Sequence, residues 1–318
     1  MSETAIRTEG LRKVYRTGFL RRAFVGLHGL DLEIPRGEVF GLIGPNGAGK
    51  TTTLKLLMGL NSPTSGTAQI LGEPIGSMRA MARVGFLPER PYFYDYLTAT
   101  EFLHFYGQLH GMPRARRIDM IDRLLPLVHM ERARDTQLRK FSKGMLQRVG
   151  IAQALMNDPE LVVLDEPSSG LDPMGRLLIR DIVRDLKTKG TTVLFCSHVL
   201  SDVEEVSDRV GILIAGKLQD VGTVDELVGK RETTVEVTLH GLTDDLVAEL
   251  PLQPHRVSSR GHHIFEAADH SAARALVAAA VERGGELFGY VARRESLEQH
   301  FMDEATSVER QDREAGVR

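Results

Sequence analysis

Gly44-Pro45-Asn46-Gly47-Ala48-Gly49-Lys50-Thr51-Thr52 is the stretch whose reading decides the fold. Ahead of it, Val39-Phe40-Gly41-Leu42-Ile43 is a short apolar run suited to a buried strand. Behind it, a helix is expected to start at Lys50 and to carry Leu54, Leu56, Leu57 and Met58. Strand, glycine-rich turn and helix in that order make a phosphate cradle. The glycines let the backbone curl so that successive N–H groups point at phosphate oxygens. The helix adds its positive N-terminal end. Gly44, Gly49, Lys50 and Thr51 complete the motif. Lys50 brings a full charge to the terminal phosphates, and the Thr51 hydroxyl can reach Mg²⁺. The alternative is a plain glycine-rich turn, and the flanking strand and helix argue against it.

Working outward, Leu161-Val162-Val163-Leu164 is an apolar strand that ends in Asp165 and Glu166. A carboxylate at such a strand end can hold Mg²⁺ through water. The one beside it can orient and deprotonate an attacking water. A solvated acidic pair is the bland alternative. Residues 192–196 form another short strand, followed by Ser197-His198. Asp172-Pro173 is a helix start, with Asp as N-cap and Pro in the first turn, opening a helix over 174–188. Strand–helix–strand alternation implies a parallel sheet. Val84 to Leu87 reads as a strand stopped by Pro88, and Gly211 to Lys217 with the next few residues as a closing hairpin.

Residues 1–40 read as short strands around a basic insert from Arg16 to Arg22. The stretch from about 97 to 156 reads as helical. Thr98 with Glu101 forms a capping box, and Phe102, Phe105, Tyr106 and Leu109 recur at helical spacing before Gly111-Met112-Pro113 breaks the helix. Near residue 230 the character changes. A strand at Val235–Leu239, a helix near Asp244–Leu250, strands near 255–259 and 262–267, a helix at Ala272–Val281 and a strand at Leu287–Val291 give the order β-α-β-β-α-β. That order resembles a ferredoxin-like module. A short helix is expected at Ser296–Met302. The expected organisation is one domain over 1–230 with a helical subdomain at about 92–156, a small α+β domain over 231–305, and a disordered charged tail at 306–318.

Composition sets bounds. The chain has 318 residues, 42% hydrophobic and 26% charged, ordinary for a globular protein. A net charge of −3 provides no global basic field, so no nucleic-acid partner is expected. Cys196 is the single cysteine, which rules out an internal disulfide and fits a reducing compartment. The N-terminal MSETAIRTEG lacks the apolar core of a signal peptide. No apolar run approaches the roughly 18 residues of a membrane helix.

The cradle, the segment Phe141-Ser142-Lys143-Gly144-Met145-Leu146-Gln147-Arg148, Asp165-Glu166, Ser169-Gly170-Leu171-Asp172 and His198, in that order, resemble the ATPase cassette of ABC transporters over roughly residues 5–225. The resemblance implies an α/β P-loop NTPase fold with a helical subdomain, and ATP with Mg²⁺ held by Gly44 through Thr52. It implies a second ATPase subunit, in the simplest case an identical copy. Ser142 and Gly144 of one copy would then contact the γ-phosphate bound by the other. Glu166 would act as base, His198 would position the attacking water, and Thr51 and Asp165 would hold Mg²⁺. Tyr15, in Leu11-Arg12-Lys13-Val14-Tyr15, would stack on adenine; the alternative is a strand tyrosine packed on the sheet. Glu89 stands where the family usually has a glutamine that helps coordinate Mg²⁺, and Lys143-Gly144-Met145 stands where Gly-Gly-Gln is commoner. Both departures occur in bacterial exporter-type cassettes, which often carry a C-terminal extension. Tyr92, Phe93, Tyr94 and Tyr96 are either core or the groove that accepts a helix of the membrane subunit. The implied protein is a soluble, cytoplasmic ATPase, peripheral on the inner face of the membrane through a separate permease that it powers for export. Rival readings are an importer ATPase with a regulatory C-terminal domain, and a non-transport ABC ATPase acting on nucleic acid or ribosomes. One cassette, one cysteine and a mildly acidic balance argue against the last.

Overall fold

The structure is a computed structural model that describes residues 3–17, 22–228, 234–259, 261–293, 297, 298, 301, 302, 304 and 306. The chain divides into two compact units, with a boundary between Val224 and Asp225. The central residues of the basic insert, part of the expected helix at Ser296–Met302, and the tail beyond 306 lie outside the described residues.

In the first unit, β1 (Thr4–Thr17) and β2 (Arg22–Pro35) form a long antiparallel pair. This corrects the expectation of short strands. Register shifts recur along the pair, including one between Thr8 and Leu11 that spans Gly10 at φ 55°. Such bulges break the period-2 alternation without ending the ladder, so the sequence pattern looks fragmented. β3 (Val39–Ile43) leads through the glycine-rich loop into α1 (Lys50–Leu57). Next come β4 (Ser65–Ile70), β5 (Glu73–Pro74), α2 (Met78–Met81) and β6 (Val84–Leu87). The helical stretch holds α3 (Ala99–Leu109), α4 (Arg114–Leu127) and α5 (Lys143–Ala154). Between α4 and α5 the chain makes two single 3₁₀ turns and a bridge from Gln137 back to Thr98, so this connector is not continuous helix. The unit closes with β7 (Leu161–Asp165), α6 (Pro173–Thr188), β8 (Thr192–Ser197), α7 (Leu200–Val206), β9 (Arg209–Ile214) and β10 (Lys217–Gly222).

Two sheets result. One runs β2-β1-β4-β5, and the other β10-β9-β3-β8-β7-β6. In the second, β9, β3, β8, β7 and β6 are parallel, while β10 turns back antiparallel to β9. β3, β7 and β8 are buried along their whole length, as a sheet covered on both faces requires. α1 packs between the sheets: Leu54, Leu56 and Leu57 join Ile6, Leu27 and Leu30 of the first sheet and Leu42, Val163 and Leu194 of the second in one core. Among the described residues no helix is long and apolar enough to cross a membrane.

The second unit contains α8 (Val224–Val228, whose first residue lies in the first unit), β11 (Thr234–His240), α9 (Asp244–Ala248), β12 (Arg256–Val257), β13 (His263–Ala267), α10 (His270–Glu282) and β14 (Glu286–Arg293). Its sheet runs β12-β13-β11-β14, antiparallel throughout. Val235, Val237, Leu239 and Phe265 point from it into a separate core completed by Val247, Ala273, Leu276 and Ala280. The strand expected near 255–259 is only two residues long.

Candidate functional site

The site follows from strand order. β3, β8, β7 and β6 are neighbours and run parallel. Their carboxyl ends therefore emerge side by side, about 4.8 Å apart per strand. β3 delivers the glycine-rich loop, β8 delivers His198, β7 delivers Asp165 and Glu166, and β6 delivers Glu89. Open parallel sheets bind ligands at this edge. A cavity of about 470 Å³ lies there, lined by Phe24, Gly26, Pro45 through Thr52, Glu89, Glu166, Ser169 and His198.

At Gly44 and Gly49 the loop lies against backbone that tolerates no side chain. Gly49 caps α1 at φ 110°, and a Cβ there would meet the Gly26 carbonyl oxygen at 2.7 Å. A Cβ on Gly44 would meet the Leu213 carbonyl oxygen at 2.2 Å. The Lys50 ammonium is buried, donates to the Gly44 carbonyl at 2.6 Å and lies 3.8 Å from Glu166 Oε1. Thr51 Oγ1 donates to Asp165 Oδ2 at 3.2 Å.

Glu166 sits at φ 53°, a left-handed backbone that costs a non-glycine residue roughly 1–2 kcal/mol. It is clamped there. Its N–H donates to the Cys196 carbonyl at 2.8 Å, and its own carbonyl accepts from Ser169 N–H at 3.0 Å and from the Gln147 side-chain amide at 3.4 Å. The carboxylate meets His198, with Nδ1 2.5 Å from Oε2. The His198 N–H also donates to Oε2 at 3.3 Å. Burial pushes the Asp165 carboxyl up to about 6; Glu166 and Glu89 add to the rise, while the Thr51 hydrogen bond and Lys50 oppose it. Asp165 Oδ1 is buried with no partner. An orphaned carboxylate oxygen, a hydroxyl next to it and further carboxylates nearby form a hard-oxygen donor set that fits Mg²⁺.

The structure thus brings Gly47 through Thr52, Asp165, Glu166, Glu89 and His198 together. It does not bring Tyr15 into the cavity lining. The Tyr15 ring lies against Gly26, where a Cβ would meet it at 2.7 Å, and its hydroxyl bonds Thr52 and Asn61. Phe24, the cross-strand partner of Tyr15, lines the cavity and is 58% exposed. Sequence reasoning passed over Phe24 because it follows the basic insert, where no pattern fixes the register. Ser142 and Gly144 do not line the cavity either. Ser142 caps α5, its Oγ accepting from Met145 N–H at 3.3 Å. Sequence reasoning also assigned no role to Gln147, though it lies within the quoted segment and is buried. A glutamine on an otherwise apolar helix face was the available signal. Lys143 Nζ lies 3.4 Å from Ser169 Oγ, at the cavity rim.

Comparison with known proteins agrees with this geometry. Residues 27–169 match the family model described as ABC transporter. An uncharacterised ABC transporter ATP-binding protein of Synechocystis is 42% identical over 317 residues, spanning 98% of this chain and 86% of that protein. The Nod factor export ATP-binding protein I of Cupriavidus metallidurans is 36% identical over 280 residues, spanning 86% and 90%. A solved ATP-binding subunit of an ABC transporter superposes with a TM-score of 0.64 at 31% identity, over 70% of this chain and 91% of its own. This chain belongs to the ABC transporter family as an ATP-binding cassette, an ATPase.

Proposed function

We infer that this chain is the ATPase subunit of an exporter, working as a pair around two ATP molecules and driving a separate membrane permease. The Glu166–His198 contact at 2.5 Å, beside the buried Lys50, carries the reading. It supplies a base, its orienting partner and a phosphate cation within one cavity. Export is supported by the resemblance to the Nod factor export protein.

The residue roles follow from placement. The loop N–H groups from Gly47 to Thr52 would bind the phosphates, and Lys50 would leave its Gly44 carbonyl for phosphate oxygens. Thr51, Asp165 and Glu89 would hold Mg²⁺, which when bound neutralises charge on the phosphate oxygens. Glu166 Oε2 would take the proton from the attacking water, and His198 would keep that carboxylate and the water in line. Phe24 would carry the adenine ring, with Tyr15 behind it as support. Ser142 and Gly144, at the N-terminus of α5, would close over the γ-phosphate held by a second copy. An apolar groove lined by Leu60, Met81, Pro91, Tyr92, Tyr94 and Tyr106 would accept the permease helix. The second unit's β-α-β-β-α-β order supports the ferredoxin-like reading, and a domain boundary near 230 fits the division of the chain. Attachment to a permease would hold the chain at the inner face of the membrane.

The test is capture with Glu166→Gln plus ATP from detergent-solubilised membranes of the native host. A polytopic membrane protein is the expected partner. Recovery of ribosomal or DNA-bound proteins alone would overturn the transport reading. ATP-driven movement of substrate out of cells, against uptake, separates export from import.

A further inference from the structure

β14 ends the sheet of the second unit, and among the described residues no strand pairs with its outer side. It is eight residues long, Glu-Leu-Phe-Gly-Tyr-Val-Ala-Arg, without proline or lysine. Leu287, Phe288, Tyr290 and Val291 are 46%, 66%, 37% and 54% exposed. A long, apolar edge strand invites pairing with another strand. The opposite edge, β12, has only two residues and offers no comparable template.

The register of β14 against β11 identifies the partner. Val237 opposes Tyr290, Thr238 opposes Gly289, and Leu239 opposes Leu287, so Phe288 is a bulged extra residue. The bulge divides the strand's faces. Leu287, Tyr290 and Ala292 sit opposite the core-facing Leu239, Val237 and Val235. Glu286 and Val291 sit opposite His240 and Glu236 on the other face. Phe288 belongs to that other face, its ring 4.4 Å from His262, which in turn packs on His240.

Counting Phe288 and Gly289 as one bulged position, the strand becomes symmetric about Tyr290. An antiparallel copy placed across a two-fold axis at Tyr290 sets Leu287 against Ala292 on the core face. It sets Phe288 against Val291 on the other. These pairs join residues of the same face, and apolar meets apolar. Without the bulge, each of these pairings would be out of face. We propose that the second units of two copies of this chain join edge to edge through β14, forming one continuous eight-stranded sheet with Tyr290 on the two-fold. The contact is isologous, so it closes at two copies and leaves no free apolar edge.

Cysteine linking in the full-length chain tests this. The only native cysteine, Cys196, is fully buried, so an introduced thiol is the reporter. Directly opposed residues in antiparallel strands have Cα atoms about 4.5–5.5 Å apart, within disulfide range. Tyr290→Cys is expected to give a disulfide-linked dimer under mild oxidation. A paired edge holds the thiols at millimolar effective concentration, so at about 10 μM protein linking should run about a hundredfold faster than in a Val281→Cys control on α10. Tyr290 Oη lies 2.9 Å from His270 Nδ1; the double variant Phe288→Cys/Val291→Cys should link likewise and leaves that hydrogen bond intact. Adding Phe288→Lys and Val291→Lys to Tyr290→Cys should return linking to the control rate. Linking of both cysteine variants at the control rate, with and without ATP, would overturn the proposal, as would faster linking through Val257→Cys on β12. ATP turnover by the same variants reports on the cassette separately, so failure of this contact leaves the ATPase reading untouched.

Discussion

At the residue scale, the proposed base, Glu166, is the most constrained residue of the site. Its left-handed backbone is a position where the chain accepts strain and fixes it with three hydrogen bonds. The contact with His198 then aims the carboxylate. Glu166→Gln keeps the shape and removes the proposed proton acceptor. ATP turnover should drop by about 10²–10⁴-fold, while nucleotide binding, followed by a fluorescent ATP analogue, persists. Retained turnover would place the base elsewhere. Phe24 is the second residue-scale case. Phe24→Ala should weaken nucleotide binding by about 1–3 kcal/mol, whereas Tyr15→Phe, which loses only a hydroxyl, should weaken it far less. The reverse ranking by calorimetry would return adenine stacking to Tyr15.

At the element scale, the segment that carries His198 leads into α7, which is anchored by a charge pair between helices. Arg180 of α6 donates from Nε and Nη2 to Asp202 Oδ1 of α7 at 3.0 and 2.7 Å, and Nη1 reaches Glu205 at 2.6 Å. Asp202 is fully buried, and its second oxygen has no hydrogen-bond partner. Arg180→Leu would leave a buried carboxylate uncompensated, and should destabilise the first unit by about 3–5 kcal/mol in urea unfolding. A loss under 1 kcal/mol would mean that water reaches Asp202. Elements also show where sequence patterns hold. The Thr98–Glu101 capping box forms as expected, with Glu101 N–H to Thr98 Oγ1 at 3.2 Å and Thr98 N–H to Glu101 Oε2 at 2.8 Å. Thr98→Ala should lower stability by about 1 kcal/mol in the same assay. Asp172 likewise caps α6, accepting from Gly175 N–H at 2.9 Å. Caps are legible because both partners lie within four residues.

At the scale of the whole molecule, Glu160 ties distant segments of the first unit together. It accepts from Arg36, just after β2, and from Arg83, just before β6, at 2.5–2.6 Å. Chiefly the Arg83 hydrogen bonds, with those of Arg36, hold its carboxyl down at about 2. A folded-state value below the unfolded one means stability that is complete above about pH 4.5 and is lost as pH falls toward 2. Because the side chain is 43% exposed, solvent screening limits the effect to about 1 kcal/mol. Glu160→Gln should therefore cost about that much at pH 7 and show a flatter acid-unfolding profile between pH 4.5 and 2. Equal acid sensitivity in both proteins would show that other carboxylates dominate.

The sequence by itself determined the local units. It marked the strand–loop–helix at Gly44–Thr52, the acidic end of β7, the histidine after β8, the caps and the alternating elements after residue 230. Each is fixed by short-range sterics, by hydrogen bonds within a turn or by a periodicity of 2 or 3.6 residues. Only the tertiary structure decided what those units meet. The order β3-β8-β7-β6 sets Lys50, His198, Glu166 and Glu89 around one cavity. The bulged β1–β2 register turns Phe24 to that cavity and Tyr15 to the sheet, and the fold delivers Gln147 to the Glu166 carbonyl. These contacts join residues tens to more than a hundred positions apart. Their geometry depends on register and packing, which no local pattern specifies.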